Sequence, residues 1–596
     1  MADLFCRYQN KIIRKKVDTA AGRSLMLGRD GSYLWIGQNP SSRYQGWFCQ
    51  TGAGLIKIVE DAGPEGAGGF LALENDFWQI KRIWQNNRES FFLPARDCLA
   101  YEIENPAAIS FFLDIKESYK NPEEKQRYVV CEEEGLIVAA CRPPAGFSLL
   151  EIFLAVAGDF KDFEMKNEWA NRGYEWDRNR VSPPFERKVF CPAKALASRL
   201  VFVVSENKKT AICRARQTFN EFERVKAESR ADFFRAHSKK IFRIGPPGKT
   251  EISKVAAKNA LRMLVKTEKE DLALRAGWPW FFQVWQRDEA VSLKSLAGFD
   301  RHGAVAIFWR QMKELKKNKY HFDTADGAGW LFLRAGGFLE NNFFDGEEKR
   351  EIADALERAI GWQLRYRTRG GLAVNMDEKT WMDSLERPGA CVEIQAQRLA
   401  MYDLARRLAG DSEKKEYYSQ LKDGLEIIAR KTFFDGKILA DRFDVEKNRH
   451  DPVCRPNLFL VAYIYPKLLE RSEWRAVFEN ALEKLWLDWG GLATIDKNDP
   501  RFCGQSTGEN AKSYHNGDSW FWINNIAAIA MHRIGKDYFG RYIEKIFTAS
   551  RHDILWGGAL GCASEISSAQ NFDPAGCPNQ AWSAATFLEL YRELRK

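Results

Sequence analysis

A chain of 596 residues is too long for one ordinary hydrophobic core, so two to four domains are expected, two of them large. Its 45% hydrophobic and 29% charged residues are the make-up of a soluble globular protein with ample apolar material for a core. The net charge of +9 comes from 90 basic and 81 acidic side chains mixed along the whole sequence, which leaves no basic stripe for nucleic acid.

The N-terminal Met1-Ala-Asp-Leu-Phe-Cys-Arg7 carries an early acid and lacks the apolar core of a signal peptide. No later run approaches the roughly 20 apolar residues of a bilayer span, so a cytoplasmic protein with no membrane partner is expected. From about residue 20 to 205 short strands are predicted. Leu99, Tyr101 and Ile103 alternate with Glu102 and Glu104, and Ile109, Phe111, Leu113 and Ile115 alternate with Ser110, Asp114 and Lys116. Phe147 to Val156 is apolar on both faces, and Gly/Pro/Asn clusters at 62–69, 142–146 and 181–184 punctuate the run. This pattern predicts a β-sandwich over 1–205. A charged, proline-free stretch follows and reads as a helical linker over 206–248, ending at Gly245-Pro-Pro-Gly248.

Beyond it the period becomes helical. About twelve amphipathic segments, at 250–267, 288–298, 302–317, 326–336, 346–367, 391–409, 412–432, 456–470, 472–487, 517–534, 536–549 and 578–595, are joined by alternating short and long loops. No repeat of fixed period supports a solenoid, and an α/α toroid of six inner and six outer helices over 249–596 is predicted, with the site where the long loops gather. The 12 cysteines, no two closer than ten residues, and the 7 dispersed histidines show no zinc, redox-pair or disulfide spacing, so reduced thiols and no metal site are expected.

The long loops repeat one recipe, a polar group beside an aromatic at a loop–helix junction. Trp278, Trp280 and Trp285 precede Arg287-Asp288; Asp326 precedes Trp330; Arg455-Pro-Asn457 opens another segment; and Tyr514-His515-Asn-Gly-Asp518-Ser-Trp520-Phe-Trp522 is the densest. An Asp at a helix start is also an ordinary N-cap, and a Trp stripe is more often core than ligand platform. Repetition of the recipe at these junctions favours a sugar site, in which carboxylates accept from hydroxyls, Arg donates and Trp faces cover the ring. Two carboxylates stand out: Asp383 in Thr380-Trp381-Met-Asp383, shortly before Glu393-Ile-Gln395, and Glu565 in Ala563-Ser-Glu565-Ile, upstream of Asn579-Gln580-Ala-Trp582-Ser583. Glycoside hydrolysis requires such a pair, one proton donor and one base for water.

Trp285-Gln-Arg287-Asp288, Thr380-Trp-Met-Asp383, Glu393-Ile-Gln-Ala396, Arg455-Pro-Asn457, Tyr514-His515 with Gly517 and Trp520, Ser564-Glu565-Ile and Gln580-Ala-Trp582-Ser583 occur in the order seen in the amylo-α-1,6-glucosidase domain of glycogen debranching enzymes. Residues 270–590 thus resemble that family, and Ser42-Arg-Tyr44-Gln-Gly46 more faintly resembles the sandwich domain that precedes the barrel in its bacterial and archaeal members. The resemblance implies a β-sandwich followed by an (α/α)6 barrel, with Asp383 as general acid, Glu565 as general base of an inverting mechanism, and Arg287 and Asp288 holding the nonreducing glucose. Substrate contacts are also expected from Trp285, Asp326, Trp330, Trp381, Glu393, His515, Trp520, Gln580 and Trp582. In such a mechanism Asp383 must keep its proton, helped by apolar Trp381 and Met382, Glu565 must stay ionised, and the carboxyls should lie roughly 6.5–9.5 Å apart. No cofactor is required.

The sequence departs from the family at Gln286, where Gly is common, at Asp518-Ser519-Trp-Phe, and in the short loop between Asp383 and Glu393, which bears on substrate choice more than on reaction type. The expected activity is therefore exo-acting release of α-1,6-linked glucose from a branched α-glucan. An α-glucosidase on a small trehalose-like or glucosyl-glycerate-like glucoside and a noncatalytic glycan-binding protein stay open as alternatives.

Overall fold

The computed structural model describes residues 13–16, 23–28, 31–52, 54–121, 127–142, 151–236, 249–268 and 271–596. The chain divides into two compact units, one of Met1–Met263 with Ile554–Cys562, the other of Leu264–Asp553 with Ala563–Lys596.

In the first unit the described strands join into one network of fifteen. Strands β1 (Gly54–Pro64) and β2 (Cys98–Glu117) pair antiparallel, and β2 continues on its other edge to β5 (Glu186–Ser205). Strands β3 (Ile152–Gly158) and β4 (Asp162–Gly173) both pair with β5. The alternation predicted on β2 buries Ile109, Phe111, Leu113 and Ile115, as a strand facing a core should. Its polar side is buried as well: Asp114 lies 2.8 Å from Arg187 and 3.7 Å from Lys57, and burial pushes Lys116 down to about 7. Alternation identifies two faces but cannot say that the charged one is covered. Helix α1 (Lys208–Asn220), capped by Asn207 accepting from the Thr210 amide, lays Ala211, Ile212 and Ala215 on β3 and β5; α2 (Phe222–Ala236) follows it. Phe147–Leu150 and Gly245-Pro-Pro-Gly248 lie outside the described residues.

The Ser42–Gly46 loop is held by Asp177, which accepts from the Ser42 hydroxyl at 2.8 Å and the Arg43 amide at 2.7 Å. Gly46 has φ +108°, and a Cβ there would lie 2.2 Å from the Val59 carbonyl oxygen, so only glycine fits. A short strand from far down the chain, Ala559–Leu560, pairs parallel with Arg23–Ser24, and Asn75 donates to the Leu560 carbonyl at 2.6 Å.

The second unit is helical: α3 (Gln286–Ala297), α4 (Arg301–Lys317), α5 (Gly327–Glu340), α6 (Gly346–Tyr366), α7 (Val392–Leu408), α8 (Ser412–Phe433), α9 (Asn457–Ile464), α10 (Arg471–Leu485), α11 (Phe521–Trp556) and α12 (Ala581–Glu593). Most expected segments recur within a few residues. The one expected at 456–470 stops at Ile464 because Pro466 has no amide to continue it, and α11 is interrupted at Gly535, where the sequence predicted a break. At 250–267 the helix ends at Arg262, and Val265–Glu268 forms a strand with Asp271–Leu274.

Alternate helices pack on one another. α3 contacts α12 and α5, α5 contacts α7, and α7 contacts α9, while α4, α6 and α8 lie against them. Burial follows this layering. Every residue of α9 is buried, whereas α6 buries only Ile352, Ala355, Leu356, Ala359 and Ile360, one stripe at helical spacing. The alternate helices share a buried polar knot. Arg334 of α5 donates to the Tyr463 hydroxyl of α9 at 3.1 Å, Tyr463 donates to Glu589 of α12 at 2.7 Å, and Lys294 of α3 pairs with the same Glu589. Burial alone would raise Glu589, but the cations Lys294 and Arg334 outweigh it and hold the carboxylate below its usual range.

Candidate active site

The candidate residues cluster at the N-terminal ends of the alternate helices. Arg287 and Asp288 lie in the first turn of α3, Asp326 directly precedes α5, Asn457 opens α9, Trp520 precedes α11 and Gln580 precedes α12. Lys294 of the polar knot is seven residues beyond Arg287, about 10 Å along the helix axis at 1.5 Å per residue. The knot therefore underlies the site.

Arg287 is the hub. Buried in the first turn of α3, it donates to the Thr380 carbonyl at 3.0 Å and to Asp383 at 3.2 Å, and lies 3.7 Å from Asp288 and 3.8 Å from Asp326. Its guanidinium also sits 5.6 Å from the Trp582 ring centroid. Burial pushes Asp288 up to about 7; Arg287 opposes this, while Asp383 and Asp326 add to it. Gln580 donates to Asp288 at 3.4 Å. Asp326 is raised by burial too, and neither of its oxygens has a hydrogen-bond partner in the protein, although it stands at an N-cap position. A buried carboxylate so placed costs stability and fits a partner that brings donors.

Asp383 is the accessible carboxylate, its side chain 38% exposed. Its neighbours Trp381 and Met382 are both buried, and Trp381 donates to Asn457 at 2.6 Å. Glu565 is 1% exposed, and each oxygen is held: one by the Tyr514 hydroxyl at 2.5 Å, the other by the Cys577 amide at 2.9 Å. Burial and the charges of Glu509 and Asp288 push it well above its usual range, while those two hydrogen bonds pull the other way. Asp383 is tied to Asp288 through Arg287, and the Glu565 segment is tied to the same Asp288 through Gln580, whose amide donates to the Ala563 carbonyl at 2.8 Å and whose side chain donates to Asp288.

Aromatic rings form the wall. His515 stacks on Trp520 at 4.9 Å, Trp381 meets both edge-on, and Trp522 stacks on Trp582 at 4.7 Å. Trp330 contacts Trp522 and Tyr463 and belongs to the buried part of this stack. Burial and the cations Arg455, Arg287 and Arg387 push His515 well below its usual value, leaving a neutral ring that shares a 2.7 Å hydrogen bond with Ser384. Trp285, the residue before α3, is 41% exposed.

Glu393 does not join the cluster around Arg287. Both its oxygens accept from Arg387, at 2.8 and 3.3 Å, and Arg387 also bonds Asp441 at 2.8 Å and the Thr380 hydroxyl at 3.0 Å. Asp441 accepts from Asn457, which holds Trp381. This buried triad fixes the Thr380–Asp383 loop from behind. Arg387, Asp441, Ser384 and the Cys577 amide were not found in the sequence, because each acts on a partner with which it shares no motif. Among the described residues no group of three or more His, Cys, Asp or Glu is arranged to hold a metal ion.

Residues 317–589 match the family model described as amylo-alpha-1,6-glucosidase. The chain carries an amylo-α-1,6-glucosidase domain. The match makes it a glycoside hydrolase with a carbohydrate substrate. The matched span includes Asp326, Asp383 and Glu565 and begins after Arg287 and Asp288. The structure is similar to a crystal structure of a bacterial glucoamylase complexed with acarbose, with a TM-score of 0.60 and 10% identity over 98% of this chain and 97% of that chain. At that identity the likeness concerns the fold, a sheet-rich N-terminal region followed by a helical region similar to the glucoamylase (α/α)6 fold.

Proposed function

We propose that this hydrolase is an inverting, exo-acting glucosidase that removes single α-1,6-linked glucose residues from branched, glycogen-like α-glucans. The observation that carries the reading is that both carboxylates are tied to Asp288, Asp383 through Arg287 and the Glu565 segment through Gln580. In this reading the terminal glucose donates hydroxyl hydrogens to Asp288 and Asp326 and lies against the Trp wall. Asp383 gives its proton to the glycosidic oxygen as the C1–O bond breaks. Water attacks C1 from the opposite face, passes its proton to Glu565, and leaves β-glucose as the first product.

The elevated Glu565 carboxyl favours a second assignment in which Glu565 is the acid and Asp383 the base. Two variants separate them. A variant lacking the acid should still turn over α-glucosyl fluoride, whose leaving group needs no proton, while one lacking the base should yield β-glucosyl azide when azide is supplied. Asp383→Asn and Glu565→Gln give those outcomes in that order under the first assignment and in reverse under the second. Release of α-glucose from a branched dextrin, followed by NMR, would overturn both.

A further inference from the structure

Behind the candidate active site, the second unit holds a narrow cleft between the 321–325 loop, the start of α5, the end of α6, the 374–379 loop and α7. Two guanidinium groups line it. Arg398 of α7 is 3% exposed, and its hydrogen bonds run to neutral oxygens: the Thr368 hydroxyl at 3.2 Å, the Arg367 carbonyl at 3.4 Å and the Tyr402 hydroxyl at 3.5 Å. Arg367, just after α6, lies 3.3 Å from the Met376 sulfur and over the Trp362 ring. Among the described residues neither arginine forms an ion pair, and the third cation of the cleft, Lys379, is already matched by Asp323 at 2.7 Å. Two neighbouring cations held out of water with no opposite charge destabilise the fold, and an anion between them relieves it.

The same cleft presents acceptors. The side-chain oxygens of Gln363, Asn375 and Gln397 are buried without a hydrogen-bond partner. Gln363 and Gln397 can turn either end of the amide to a ligand. Asn375 cannot, because its nitrogen donates to the Met376 and Arg387 carbonyls at 3.0 and 2.7 Å, which fixes its oxygen as an acceptor. The free volume of about 40 Å³ admits an ion of a few atoms and no sugar ring. Chloride and sulfate answer the arginines and leave Asn375 unmet, since neither carries a proton at neutral pH. Phosphate keeps a hydroxyl there, so it accepts from guanidinium and donates to an amide oxygen at once. We propose that this cleft binds one inorganic phosphate-type oxyanion, held by Arg398 and Arg367 and oriented by Asn375. This choice of ligand is independent of the proposed function. The Ala325 amide donates to the Lys379 carbonyl at 2.7 Å, and the residues that follow are Asp326 and Thr380, so an ion joining α7 to the 374–379 loop braces the loops that carry the candidate active site.

The test uses the full chain at neutral pH and constant ionic strength. Inorganic phosphate should raise Tm saturably by about 1–3 °C and bind with a stoichiometry of one in calorimetry, while sulfate at the same concentration does neither. Arg398→Gln should abolish the response to phosphate. If that variant does not fold, crystals of the unaltered chain soaked with arsenate, which also keeps a hydroxyl, should show an anomalous arsenic peak between Arg398 and Asn375. No response to phosphate, an equal response to sulfate, a response that survives Arg398→Gln, or an arsenic peak elsewhere with none in the cleft each overturns the assignment. None of these measurements follows hydrolysis, so the proposed function stands or falls separately.

Discussion

Asp326 stands at a helix N-terminus with neither oxygen bonded to protein, a placement that strains the folded state and suits a hydroxyl-bearing ligand. Its carboxyl is raised above 3.8 by burial, so its ionisation opposes folding: stability is fully present below the unfolded value and falls as pH rises through the folded one. Asp326→Asn should therefore melt higher than the parent at pH well above the ordinary carboxylate range and match it below that range in calorimetry, while binding glucose-type inhibitors more weakly. The same substitution removes an anion that raises Asp288, whose pKa is about 7. If ionised Asp288 accepts sugar hydroxyls, inhibitor affinity in the parent falls as pH drops through about 7. In Asp326→Asn that loss moves to lower pH, which a pH series of inhibition constants reads directly. Arg387 works differently. Arg387→Met leaves Glu393 and Asp441 as adjacent buried charges and should cost about 3–5 kcal/mol in urea unfolding.

Among elements, the loop that carries Tyr514 and His515 is held by Arg455, which donates to the His515 carbonyl, by Trp520, which donates to the Tyr514 carbonyl, and by one close backbone approach. A Cβ on Gly517 would lie 1.8 Å from the Cys503 carbonyl oxygen, so Gly517→Ala forces two backbone segments apart. The Tyr514 bond to Glu565 is then lost, and kcat should fall about tenfold or more at nearly unchanged Tm if the displacement stays local. This loop also marks how far sequence reading reaches. Helices were legible because apolar residues recur at helical spacing, and the candidate site was legible because aromatic and charged residues crowd the positions just before α3, α5, α11 and α12. What spacing could not reveal was direction. Glu393 opens α7 much as Asp288 opens α3, yet its carboxylate is taken by Arg387, and no motif links residue 387 to residues 393 and 441. Trp285 and Trp381 look alike in sequence, one exposed and one buried, since a tryptophan stripe reads the same for a core and for a platform.

At the scale of the whole molecule, the first unit borrows a piece of late sequence. Ile554–Cys562 clusters with it, Ala559–Leu560 extends its sheet beside Arg23–Ser24, and Asn75 bonds the Leu560 carbonyl. A fragment ending at residue 263 exposes that strand edge and should aggregate or melt below the same fragment supplied with a 554–562 peptide, measured by light scattering and thermal unfolding. The sandwich expected from strand patterning contained no hint of this, because a two-residue strand has no period to detect.

The knot of Lys294, Arg334, Tyr463 and Glu589 ties α3, α5, α9 and α12 together. In an exo reaction on a base held this firmly, the released glucose must leave before the next chain end can settle. Free glucose should then compete with substrate, and the departure of the product, rather than bond cleavage, becomes the step that solvent viscosity slows.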